Sequence, residues 1–170
     1  TVVCHNFAIC YGRDALAISV FKPPLWLLPF VVRLFDAMRG FVAPVSFYLP
    51  FNKLKLPDGR PAAPLLEADP MATLSYSLGA VASLGSTRPA TPMARITTPV
   101  MLVSSTGDEV FPVAYEQELF DRLTCEKKFL LIPDKGHMMI IFDADKPWLI
   151  DPIAEWFDTY LRAPDGPAGG

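Results

Sequence analysis

The hydrophobic pattern of the carboxyl-terminal third is regular and predicts two parallel strands joined by a helix. Two continuous apolar runs, VMLVSS at 100–105 and FLLI at 129–132, are typical of strands buried on both faces of a sheet. Between them, apolar residues recur at helical spacing over 112–123, and Pro112 suits the first turn of a helix. Asp151-Pro152, an N-cap followed by proline, predicts the start of a last helix.

The amino-terminal pattern is less regular. The run ALAISVF, bounded by Gly12 and Asp14 on one side and by Pro23-Pro24 on the other, predicts a buried strand at Ala15–Val20. The earlier run VVCHNFAIC is ambiguous between a strand and the end of a helix. Prolines then recur up to Pro92 and limit the length of any helix. This middle stretch predicts an irregular, largely helical insertion.

Composition restricts the class of protein. A chain of 170 residues with 51% hydrophobic residues and a mean hydropathy of +0.29 can bury a core. Its formal charge is −3 and its cations are scattered, which argues against a nucleic-acid partner. No run approaches the roughly 20 apolar residues that a membrane span requires, and no signal peptide is recognisable.

Cysteine and histidine usage argues against metal sites and disulfides. Cys4, Cys10 and Cys125 are odd in number and lack CxxC spacing, which indicates a reducing, cytoplasmic location. With His5 and His137 as the two histidines, a histidine-based metal cluster is not expected. We therefore expect neither a metal nor another cofactor.

Two residues whose side chains are suited to acid–base catalysis follow the predicted carboxyl-terminal strands. Asp108 comes after the first strand and His137 after the second. Parallel strands joined by one helix bring both turns to the carboxyl edge of the sheet, where α/β proteins hold their chemistry. A carboxylate and an imidazole placed there can hydrogen-bond, and the sequence therefore predicts an acid–base pair. Glu109 is an alternative acid, and Asp134 is interpreted as a turn former.

The segments TPVMLVSSTGDEVFP and FLLIPDKGHMM resemble the α/β-hydrolases, in the branch of monoacylglycerol lipases, lysophospholipase-like esterases and S33-like serine aminopeptidases. The first is similar to the strand and D-x-V-x-P turn that carry the triad acid, and the second to the last strand and its G-H turn. The resemblance implies that Asp108 orients His137 and that His137 is the general base. It also implies a partial α/β-hydrolase fold, with a parallel sheet, flanking helices and a Pro-rich helical lid.

The expected organisation follows from that resemblance. Residues 1–22 form the end of an amino-terminal core part with an elbow region and one strand, and residues 23–95 form the lid insertion. Residues 96–162 form the carboxyl-terminal core, and 163–170 a disordered tail. An unpaired sheet edge at Ala15–Val20 would favour a complementing chain or a homo-oligomer.

The nucleophile is the missing element, since the sequence contains no G-x-S-x-G. The segment VVCHNFAI is similar to the family's V-x-G-H-S-x-G-G, with Asn6 in the serine position and Cys4 and Ala8 in place of glycines. An asparagine amide cannot form an acyl-enzyme. We expect that the chain begins near or after the elbow and that the elbow is absent or degenerate. Cys4, Cys10 and Thr1 are alternative nucleophiles without a base at known spacing.

Three functions follow from these alternatives. The first is a serine-hydrolase-type enzyme for a small-molecule acyl or lipid ester, with an apolar lid that contains the side chains Trp26, Leu27, Leu28, Phe30, Phe35, Phe41, Phe47 and Phe51. The second is a catalytically silent binding module that keeps the acyl pocket and has Asn6 in place of serine. The third, a receiver-like or nucleotide-binding domain, lacks a Gly-rich phosphate loop.

Overall fold

The computed structural model describes residues 1–161. The tail predicted at 163–170 lies outside the described residues. The strands are β1 (Val2–His5), β2 (Val42–Pro44), β3 (Ser75–Ser77), β4 (Val100–Ser105) and β5 (Lys127–Ile132). The helices are α1 (Arg13–Ile18), α2 (Leu28–Ala37), α3 (Ala63–Ala68), α4 (Leu78–Ser86), α5 (Val113–Asp121), α6 (Met139–Phe142) and α7 (Pro147–Leu161).

A parallel sheet with the order β1-β4-β5 positions the predicted site. Val2 of β1 lies opposite Val100 of β4, and Val100 in turn lies opposite Lys127 of β5. Because the three strands run in the same direction, their carboxyl ends meet at one edge. The turns that follow β1, β4 and β5 are therefore neighbours in space. The predicted parallel sheet is confirmed.

Helices cover both faces of this sheet, as expected for strands with continuous apolar runs. Val100 packs on one face in a cluster with Ile18 of α1 and Leu119 of α5. Met101 packs on the other face with Trp156 of α7. This alternation follows from the two-residue period of a strand. The two clusters fix the sheet between α1 and α5 on one side and α7 on the other.

The prediction of a strand at Ala15–Val20 is wrong, because most of this segment lies in helix α1 (Arg13–Ile18). Both edges of β4 are already paired, with β1 and with β5, and no edge of β4 remains for another strand. As a helix, the segment buries Ile18 in the core, and alanine favours helix over strand. The predicted sheet edge at Ala15–Val20 therefore does not exist, and the strand of this region is β1.

The last helix also begins earlier than predicted. It starts at Pro147, which takes the first helical position that the sequence pattern assigned to Pro152. Pro152 lies inside the helix and lacks the backbone N–H that would bond to the preceding turn. The apolar face of α7, with Leu149 and Trp156 buried, offsets that loss.

The insertion between α1 and β4 combines short helices with a small antiparallel ribbon formed by β2 and β3. Helix α2 packs against α4. Four 3-10 turns, at Leu25–Leu27, Val45–Phe47, Phe51–Lys53 and Met93–Arg95, each follow a proline directly. The frequent prolines thus explain the short elements. The domain boundaries given above stay a prediction.

Candidate active site

Asp108 lies in the turn after β4, where the backbone fixes its carboxylate. Its Oδ1 accepts the backbone N–H groups of Val110 and Phe111, each at 2.7 Å. These bonds leave Oδ2 free to accept from His137 Nδ1 at 3.0 Å. The Asp108 side chain is 1% exposed, so the contact is shielded from solvent. The predicted pairing of carboxylate and imidazole is present in the structure.

Glu109 and Asp134 make hydrogen bonds with the backbone or side chains of the two turns, and neither forms a hydrogen bond with the imidazole ring of His137. Glu109 accepts the backbone N–H of His137 at 3.1 Å, which positions the histidine loop. Asp134 has a φ of 56°, and its backbone N–H donates to the hydroxyl oxygen of Thr106 at 2.8 Å. The two turns touch at Gly107, where a Cβ would lie 2.7 Å from the carbonyl oxygen of Lys135. Only glycine permits that approach.

Asn6, in the turn between β1 and α1, faces His137. Its φ is 52°, a left-handed conformation that asparagine tolerates better than most residues. Its Nδ2 lies 2.8 Å from His137 Nδ1 and 3.4 Å from the His137 carbonyl oxygen. A positive φ between a strand and a helix is the geometry that exposes the nucleophile in an elbow turn. Asn6 therefore lies in a strand-to-helix turn with a positive φ and directs its amide at His137.

Both side-chain contacts of the imidazole fall on the same nitrogen. A catalytic triad needs the carboxylate on one ring nitrogen and the nucleophile on the other. Here Nδ1 contacts Asp108 Oδ2 and Asn6 Nδ2 together. A single nitrogen carries either one proton or one lone pair, and the carboxylate requires the proton. Since Nδ1 donates its proton to Asp108, it has no lone pair left to accept a proton from position 6, and a base acting there would have to present Nε2 instead.

His5, the residue before Asn6, is a neighbour of the pair that the sequence did not identify. Its ring centroid lies 6.4 Å from that of His137, and the two rings are tilted by 41°. The pKa of His5 is lowered to about 4, mainly by burial and also by the nearby His137, while Asp108 opposes the shift. His5 is therefore neutral at neutral pH. Phe111 stacks on the His137 ring, with 5.2 Å between the ring centroids.

Glu116 on α5 is a second group that the sequence analysis missed. It is fully buried and accepts the hydroxyl hydrogen of Ser104. Burial raises the pKa of Glu116 to about 7, and Asp108 adds to this, while hydrogen bonds from Ser104 and from the backbone of Phe7 lower it. The sequence does contain a signal for a buried carboxyl here. Glu116 lies three residues after Val113 and three before Leu119, so it falls on the apolar stripe of the helix.

The alternative nucleophiles receive no support from their surroundings. Burial raises the pKa of the Cys4 thiol and of the Cys10 thiol, which disfavours the reactive thiolate. Thr1 donates its hydroxyl to the carbonyl oxygen of Pro99 at 3.2 Å.

Over residues 1–161, no cluster of three histidine, cysteine or acidic side chains could hold a metal ion. In the same range, no helix is long and apolar enough to cross a membrane.

One cavity borders the site, and a second lies within the insertion. One of about 270 Å³ separates the Lys55–Gly59 loop from the turns of Gly107 and Gly136. The other, of about 420 Å³, is apolar and lies within the insertion, where Leu49, Phe51 and Leu84 line it. Of the eight apolar side chains expected in the lid, Phe51 lines this cavity, whereas Trp26, Phe30, Phe41 and Phe47 are exposed.

No family model and no curated protein matches the sequence. Solved structures do match. A monoacylglycerol lipase from Paleococcus ferrophilus matches with a TM-score of 0.54 and 22% identity, over 84% of this chain and 55% of that one. A hypothetical protein from Pseudomonas aeruginosa matches with a TM-score of 0.64 and 14% identity, over 95% and 53%. A thermophilic esterase from Thermogutta terrifontis, with malate bound, matches with a TM-score of 0.51 and 17% identity, over 81% and 52%. The chain spans about half the length of these structures.

Proposed function

From the partial α/β-hydrolase fold of this chain, we propose that it carries an ester-hydrolase-type site that binds a small acyl or lipid ester without cleaving it. Asp108 and His137 are the acid and the base of this site, and Asn6 occupies the place of the nucleophile. The observation that carries the proposal is the left-handed Asn6, whose amide lies 2.8 Å from His137 Nδ1.

The chemistry of asparagine explains why binding would occur without turnover. In a serine hydrolase, the hydroxyl gives its proton to the imidazole as its oxygen attacks the ester carbonyl. The amide nitrogen of Asn6 has no available lone pair for that attack and no acidic proton to give. The base at His137 therefore has no group to activate.

Two observations support an acyl ester as the ligand. The apolar cavity of about 420 Å³ offers the concave, mostly hydrophobic surface typical of small-molecule sites. Two of the similar structures are described as a monoacylglycerol lipase and an esterase. The location in the cytoplasm and the complementing chain or second copy expected from the sequence stay predictions.

Restoring a hydroxyl at position 6 tests this proposal. We expect the wild-type chain to be labelled by a fluorophosphonate probe to less than about 1%, because no nucleophile is present. Asn6→Ser should be labelled slowly at that serine, as read by mass spectrometry. Asn6→Ser combined with His137→Ala should lose the labelling, and Asn6→Ala is the matched control without a hydroxyl.

Ligand binding is measured on the wild-type chain. p-Nitrophenyl octanoate should show broadened NMR signals in the presence of the protein while no p-nitrophenol is released. Stoichiometric labelling of the wild-type chain, or a folded Asn6→Ser variant that stays unlabelled, would contradict the proposed site.

A further inference from the structure

The segment between Asn6 and helix α1 needs hydrogen-bond partners from elsewhere in the fold. Residues 7–10 belong to neither a strand nor a helix, and they pack partly buried against the core. Backbone N–H groups that leave water are nearly always bonded, because an unpaired one is costly. Two adjacent side chains of α5, Tyr115 and Glu116, interact with the backbone of this segment. The hydroxyl oxygen of Tyr115 accepts the N–H of Ile9 at 3.0 Å.

Glu116 acts on the residue that directly follows Asn6. Its Oε2 accepts the hydroxyl of Ser104, which lies in β4 just before the turn of Asp108. Among the described residues, no donor meets Oε1 at ordinary hydrogen-bond geometry, so this oxygen is available to a nearby N–H. The backbone N–H of Phe7 interacts with the carboxyl and favours its charged form. Glu116 therefore connects the turn after β1 with the end of β4.

Asn6 depends on such contacts because its backbone conformation is unfavourable. A φ of 52° persists in a residue other than glycine only where the surroundings fix it. On one side, the N–H of Asn6 donates to the carbonyl oxygen of Val103 at 3.2 Å. On the other side, Phe7 is held from α5 by Glu116. Together these contacts set the direction in which the Asn6 amide leaves the turn.

We propose that Glu116 is a positioning residue of the site, whose buried carboxyl holds the backbone of Phe7 and thereby keeps the Asn6 amide against His137. Tyr115 supports the same segment two residues further along the chain. This inference rests on the proposed function only in that it takes Asn6 as part of the site.

The charge of Glu116 should modulate this hold. The groups that face its carboxyl are the hydroxyl of Ser104, the N–H of Phe7 and the charges of Asp108 and His137. Burial has the largest effect and raises the pKa of Glu116 to about 7. Because a carboxylate accepts a stronger hydrogen bond than a neutral carboxyl, the bond from Phe7 should strengthen as the pH rises through this value.

The NMR signal of the Phe7 amide proton tests the contact. In the wild type it should move downfield with a midpoint near pH 7, and Glu116→Gln, which cannot ionise, should abolish this titration. His137→Ala should keep it, because the imidazole is not the titrating group. Glu118→Gln is the matched control at a half-exposed position of α5 and should titrate like the wild type. A Phe7 signal that does not titrate near pH 7, or that titrates equally in Glu116→Gln, would overturn the inference.

The nuclear Overhauser effect between the Asn6 side-chain amide and the His137 ring measures the positioning. Glu116→Gln keeps an acceptor oxygen and should preserve this signal, whereas Glu116→Leu should weaken it about fivefold or more. A folded Glu116→Leu variant with the wild-type signal would contradict the proposed role. If Glu116→Leu does not fold, the titration of Phe7 decides.

Labelling in the Asn6→Ser background separates this inference from the proposed ester site. There, Glu116→Leu should slow fluorophosphonate labelling about tenfold, and Glu116→Gln less than about twofold, because the attacking group must be held in place. Equal rates for these two variants would overturn the role of Glu116. If Asn6→Ser is not labelled at all, the proposed ester site fails, while the two NMR measurements still decide whether Glu116 positions Asn6.

Discussion

Replacing Glu116 with glutamine tests whether a buried carboxyl lowers the stability of this fold at neutral pH. Glu116 is fully buried on α5, and its pKa is raised to about 7 from a usual value of 4.5, mainly by burial. The folded state therefore binds a proton that the unfolded state releases between these two pH values. Stability should fall as the pH rises from 4.5 through 7.

The size of the effect follows from the two pKa values. Each tenfold difference in proton affinity is worth about 1.4 kcal/mol, so the interval from 4.5 to about 7 corresponds to about 3 kcal/mol. Glutamine has nearly the same shape as glutamate and cannot ionise. Its oxygen can still accept the hydroxyl of Ser104. The free energy of unfolding of Glu116→Gln should therefore gain about 3 kcal/mol relative to the wild type between pH 4.5 and pH 8.

Urea unfolding at several pH values measures this difference, with the fluorescence of the buried Trp156 as the signal. Glu118→Gln is a matched control on the same helix, since its side chain is 49% exposed and pairs with Arg122. It should change stability by less than about 1 kcal/mol at every pH. A difference between Glu116→Gln and the wild type that does not change with pH would refute the reasoning.

Two further predictions concern the turns around the site. Gly107→Ala should destabilise the fold by about 1–3 kcal/mol in thermal unfolding, because the added Cβ would meet the Lys135 carbonyl. As a control, the Cβ of Gly40→Ala would enter open space, and this substitution should be nearly neutral. Equal effects of the two substitutions would contradict the close approach at Gly107. The ring protons of His5 should titrate in NMR with a midpoint near its pKa of about 4, and the stability that depends on neutral His5 should be present above pH 6.5 and be lost as the pH falls toward 4; a midpoint near 6.5 would show that the ring is not buried.

The carboxyl-terminal half could be predicted because its sequence signals are local. The apolar runs at 100–105 and 129–132 match β4 and β5, which end at Ser105 and Ile132. The turns that follow them carry the paired Asp108 and His137. Each of these elements is determined by a few neighbouring residues, and the rule for parallel strands then brings the turns together.

The amino-terminal half depended on contacts that are distant in sequence. The run at Ala15–Val20 has the composition of a buried segment, which does not distinguish a strand from a short helix. In the structure the segment forms helix α1 and buries Ile18 against Val100 and Leu119, which are about 80 and 100 residues away in the sequence. Similarly, the contact between Asn6 and His137 Nδ1 could not be read from a pattern, because it depends on the orientation of an imidazole ring.

The sequence separations within the site set the order in which it can assemble. Asp108 and His137 are 29 residues apart, whereas Asn6 and His137 are 131 residues apart. Closing the longer loop costs about 1 kcal/mol more in chain entropy, and contacts across large separations form slowly. We expect the acid–base pair to form early in folding, from β4, α5 and β5. Asn6 then joins it only when β1 pairs with β4, so the Asn6–His137 contact reports that the three-stranded sheet is complete.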